Sequence, residues 1–63
     1  MRKFQKGEVW MTNRGNLYRV KAVENGQAIL RKGVIGRGSI SRRQEDATNG
    51  WILYVSADQG GTQ

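Results

Sequence analysis

The chain has 63 residues, eleven Lys and Arg against five Asp and Glu for a formal net charge of +6, and neither cysteine nor histidine. That length holds a single small domain with a thin core, and the missing residue types exclude disulfide staples, Cys/His zinc clusters and His- or Cys-based catalysis. All eleven bases lie in residues 1–43 beside only Glu8 and Glu24, so that stretch carries +9 and residues 44–63 carry −3; an excess of this kind in a small domain draws polyanions towards it.

Residues 1–6, with Arg2, Lys3 and Lys6, read as a basic N-terminal arm, and residues 7–57 as the domain. No window carries the i, i+3, i+4, i+7 apolar spacing of a helix for more than two turns, and strand signals dominate. Glu8–Thr12 alternates, Asn13-Arg14-Gly15-Asn16 supplies turn formers, and Leu17–Val23 is a second strand. Asn25-Gly26 then separates it from a third strand, Gln27–Lys32, in a hairpin. A two-residue loop would pair Val20 with Arg31 and mix charge with hydrocarbon on both faces. A three-residue loop, Glu24-Asn25-Gly26 with a bulge at Gly26, pairs Val20 with Leu30 and Ala22 with Ala28. The three-residue loop is preferred because it gathers Tyr18, Val20, Ala22, Ala28 and Leu30 on one face and leaves Arg19, Lys21, Val23, Gln27, Ile29 and Arg31 on the other.

Gly33-Val34-Ile35-Gly36-Arg37-Gly38 lacks the spacing of a phosphate-binding loop and reads as a tight bend. Ser39–Ser41 is expected as a short fourth strand, and Arg42–Asn49 as a polar link or a single helical turn capped by Ser41. Trp51–Val55 is almost wholly apolar and reads as a fifth strand that is flanked on both sides or closes a barrel. Residues 58–63 read as a flexible tail.

Five short strands, with Gly7-Glu8-Val9 at the start, Gly15 in the next loop, then Tyr18-Arg19-Val20 and the Ile29 strand, resemble the small SH3-like barrels, including KOW-type and chromatin-associated modules. That resemblance implies an all-β, single five-stranded SH3-like barrel with a short helical turn before the last strand. The fold hosts nucleic-acid binders, peptide binders and adaptors alike. A second, more local likeness joins Leu17-Tyr18-Arg19-Val20 to Gly36-Arg37-Gly38-Ser39-Ile40-Ser41, as in the archaeal 7-kDa chromatin proteins. It implies that Tyr18, Val20, Arg37 and Ser39 touch DNA, with Val23 as a wedge between bases. For Tyr18 and Val20 it conflicts with the hairpin register, which buries both; the register is followed for Tyr18.

If Val9 and Met11 point inward, alternation turns Trp10 outward beside Arg19, Lys21 and Arg31, where an indole among guanidinium groups can stack a base. The converse reading makes Trp10 core. Arg37, Arg42 and Arg43 form a second basic cluster in loops, which Glu45 and Asp46 could mute by pairing. Five scattered carboxylates, and Ser39 and Ser41 with no partner base other than lysines, give no catalytic or metal-binding set; no enzyme and no cofactor are expected.

The expected function is therefore nucleic-acid binding, DNA ahead of RNA, through Trp10, Arg19, Lys21, Arg31, Arg37, Arg42 and Arg43. A phage or plasmid accessory factor would suit the size. The alternative is an inhibitor or adaptor that turns the same basic face to an acidic protein surface. With no apolar run near the roughly 20 residues that span a bilayer, no membrane partner and a cytoplasmic location are expected. An exposed edge near Glu8–Thr12 or Ser39–Ser41 leaves a dimer open.

Overall fold

The computed structural model describes residues 2–57, and the expected tail at 58–63 lies outside them. The described chain is all-β: β1 (Val9–Met11), β2 (Leu17–Glu24), β3 (Gln27–Lys32), β4 (Ile40–Gln44) and β5 (Ile52–Val55). They form one antiparallel sheet in the order β4-β3-β2-β1-β5. The sheet does not close, and β4 and β5 are its two edges. Two expectations change accordingly. β5 is an edge and neither flanked nor a closing strand, while β1, expected near an edge, lies inside the sheet. The helical turn expected within residues 42–49 is absent, because Arg42, Arg43 and Gln44 extend β4.

The β2–β3 hairpin resolves the choice of register in a way neither simple loop allows. Asn25 and Gly26 both take positive φ, 53° and 78°, so the loop is the two-residue type I′ turn that Asn-Gly favours. Val20 nevertheless pairs with Leu30, because a bulge between Val20 and Ala22 inserts Lys21 as an extra residue. Lys21 and Ala22 therefore lie on the same side, and Val23, which pairs with Ala28, turns to the core where Ala22 was expected.

The core lies on the side of the sheet that carries Trp10, Val20, Ala28 and Leu30. Tyr18, Val23, Trp51 and Leu53 pack against it. Phe4 completes it, edge-on to Trp10 at 5.0 Å and to Trp51 at 5.3 Å, a favoured aromatic geometry. Residues 2–6, read above as an arm, are thus tied to the body. Phe4 N–H donates to the Glu45 carbonyl at 2.8 Å, and the Thr48 hydroxyl donates to the Arg2 carbonyl at 2.9 Å.

Trp10 is 2% exposed, which reverses its outward placement. Alternation misleads here because both faces of β1 are covered: Val9, on the opposite face, is 0% exposed. A buried indole N–H needs an acceptor. Glu8, two residues earlier and so on the same face of the strand, supplies it: Trp10 Nε1 donates to Glu8 Oε1 at 2.8 Å. The same oxygen accepts from Gln5 N at 2.8 Å, so this buried carboxylate ties the N-terminal segment to the core.

Candidate nucleic-acid interface

Away from the core, the pairing register lines up Val55, Val9, Arg19, Arg31 and Ile40 across all five strands. Directly paired residues of neighbouring strands share a face, so Arg19 and Arg31 stand side by side on the outer side. Ile29 pairs with Arg42 one row further on, which places Arg42 on that side too. Two like charges directly opposite each other destabilise a sheet. Here both guanidinium groups turn to backbone carbonyls. Arg19 Nε donates to Val34 O at 2.6 Å and Nη1 to Gly7 O at 3.0 Å. Arg31 Nε donates to Gly38 O at 2.8 Å and Nη2 to Arg37 O at 3.0 Å.

One of these bonds ties Arg19 to Gly7, and the other three clamp the β3–β4 loop, residues 33–39, over the outer side. Gly36 is buried against it: a Cβ there would lie 3.0 Å from Arg19 Cβ and 3.2 Å from Lys21 Cδ. Gly38 is required for a second reason, since a Cβ would lie 2.8 Å from the Lys32 carbonyl oxygen, a contact the backbone cannot relieve. The glycines expected to make a bend thus also let the loop lie flat. Arg37 is carried by this loop into the neighbourhood of Arg31, and its side chain is exposed, as are those of Lys21 and Arg42.

Five of the seven expected residues, Arg19, Lys21, Arg31, Arg37 and Arg42, are therefore brought together. The other two are not. Trp10 is in the core, and Arg43, which alternates with Arg42 on β4, faces the other way. Its guanidinium carbon sits 4.8 Å from the centre of the Trp51 ring, and Nε and Nη2 both donate to Ala47 O. Arg42 and Arg43 were expected in a loop; as neighbours on a strand they must diverge. The placements taken from the archaeal likeness also change for Val20, which is 1% exposed, and for Tyr18 and Val23, which pack on the core.

Among the described residues two ion pairs form, Arg2 with Glu8 at 3.9 Å and Lys3 with Glu45 at 3.5 Å. Neither involves the five outer cations, so Glu45 does not mute them. Arg31 uses two of its five N–H donors on the loop, and Arg19 uses one on the loop and one on Gly7 O, which leaves three apiece for a ligand. Around the cations, Val34, Ile35 and Ile40 are exposed, and Ile52 and Tyr54 are exposed on β5. Reading the sequence alone missed Tyr54, an exposed aromatic whose strand looked wholly buried. A groove of about 450 Å³ lined by Asn25, Gly26, Gln27, Gln44, Glu45 and Asp46 is polar, bears two carboxylates and includes none of these cations. Among the described residues no helix is long and apolar enough to cross a membrane.

Comparison with known proteins finds no match, whether to a family model, a curated protein or a solved structure.

Proposed function

We propose that this chain is a small, non-enzymatic nucleic-acid-binding protein, built on an SH3-like fold, that holds the phosphate backbone of duplex DNA with Arg19, Lys21, Arg31, Arg37 and Arg42. The observation that carries the reading is the gathering of these five cations on one side of the sheet and its loop, with none of the ion pairs among the described residues engaging them. The strand order, in which β5 returns beside β1 after a four-strand meander, supports the SH3-like assignment. Duplex is favoured over single strand because the residue expected to stack bases, Trp10, is buried beneath the sheet. Clamped guanidinium groups suit phosphate, since their free N–H groups are held in fixed directions before the ligand arrives.

Titration of fluorescent random duplex, single-stranded DNA and RNA at low and moderate salt tests the reading. Four or five phosphate contacts give a log–log salt slope near −4, so raising salt from about 50 to 200 mM should weaken duplex binding about a hundredfold or more. No duplex binding at micromolar protein and low salt overturns it. The exposed Val34, Ile35 and Ile40 around the cations support a second reading, docking on an acidic protein surface with apolar spots; that outcome would move it forward.

A further inference from the structure

An open sheet has two edges, and edges recruit strands unless they are blunted. The two edges here differ in chemistry. β4 reads Ile-Ser-Arg-Arg-Gln and carries a cation on each of its faces, the arrangement that keeps an edge from pairing. β5 reads Ile-Leu-Tyr-Val, with no charge, proline or glycine and only residues of high or neutral strand preference; its one irregularity is a bulge at Tyr54, where the register against β1 shifts. Its Ile52 and Tyr54 are 58% and 56% exposed.

Charge then selects the occupant. The protein carries +6, so two copies repel wherever their cations meet, but every base lies in residues 1–43 and β5 is two strands removed from Arg19. An edge-to-edge approach through β5 is the one that keeps both basic surfaces apart. We infer that β5 pairs antiparallel with β5 of a second copy of this chain, joining two five-stranded sheets into one.

The symmetry has a consequence. Antiparallel pairing of identical edges needs a two-fold axis perpendicular to the sheet, and such an axis leaves the same face of each copy on the same side. Both sets of Arg19, Lys21, Arg31, Arg37 and Arg42 would face one way. Five strand spacings of about 4.8 Å put the two β2 strands about 24 Å apart along the joined sheet, so one polyanion could engage both. This consequence rests on the function proposed above; the pairing itself does not.

Sedimentation equilibrium of the full chain without nucleic acid, over about 10 μM to 1 mM, should give a mass that rises from one copy towards two. Ile52→Lys and Tyr54→Lys each enter the interface twice and should weaken association about tenfold or more, with an unchanged circular-dichroism spectrum. Because the chain has no cysteine, single-cysteine variants map the contact independently: Tyr54→Cys should cross-link two copies on oxidation and Arg42→Cys should not. A single-copy mass throughout, association indifferent to both lysines, or cross-linking at position 42 instead of 54 overturns the pairing. Failure of the nucleic-acid reading is seen separately, as absent duplex binding by the wild type at low salt whatever its mass.

Discussion

The two sides of this sheet use arginine in opposite ways. On the core side, Arg43 lies over Trp51 and gives two N–H groups to one carbonyl, so it covers the rim of the aromatic cluster. On the outer side, Arg19 and Arg31 give N–H groups to carbonyls of a loop and Arg42 projects into solvent. The lesson is that counting cations says little about a binding surface. What decides is the parity of each residue on its strand and whether its partner is a ring, a carbonyl or water.

The largest effect should come from removing the centre of the core. Trp10→Ala opens a cavity beside Phe4 and leaves Glu8 buried without its indole donor. Loss of a buried Trp costs about 3–5 kcal/mol, much of the stability of a domain this small. Urea denaturation should find the variant largely unfolded at 25 °C. A variant as stable as the wild type would mean that the Phe4–Trp10 contact is not the centre of the core.

On the outer side the sharpest lesion is smaller. Gly38→Ala sets a Cβ 2.8 Å from the Lys32 carbonyl oxygen and pushes the loop off Arg31. Overpacking of this kind costs about 1–3 kcal/mol. The variant should remain folded with a lower urea midpoint, and its duplex affinity should fall because Arg37 and Arg31 lose their fixed placement. Unchanged binding would show that the clamp does not organise the cations.

How much of this was legible in the sequence depends on how local the cause is. The hairpin at Asn25-Gly26 and the pairing of Val20 with Leu30 followed from turn chemistry and face purity. The bulge at Lys21, which satisfies both, did not, because an extra residue leaves no mark in a period-two pattern. Trp10 was misplaced for a related reason: alternation separates inside from outside only where one face is wet, and β1 is covered on both. Glu8, two positions from Trp10, was the available clue, since a strand places both on one face and a buried indole needs an acceptor. Arg19, Lys21 and Arg31 were grouped correctly because strand parity alone sets their side. Arg42 and Arg43 were not separated, since that required recognising β4 where a helical turn was expected.

That last pair gives the finest test, because Arg42 and Arg43 are consecutive, chemically identical and on one strand. Arg43→Ala removes the contact with Trp51 and both bonds to Ala47 O, which should cost about 1–2 kcal/mol of stability and leave the salt dependence of duplex binding unchanged. Arg42→Ala should leave the urea midpoint within about 0.5 kcal/mol, as surface changes usually do, and lower the log–log salt slope by about one as one phosphate contact is lost. Lysine separates the roles further. Arg42→Lys keeps the point charge and most of the affinity, whereas Arg43→Lys loses the planar group that lies over the ring. Equal effects of the two alanine substitutions on salt slope would mean that both faces meet the nucleic acid, which an open sheet with one basic side does not allow.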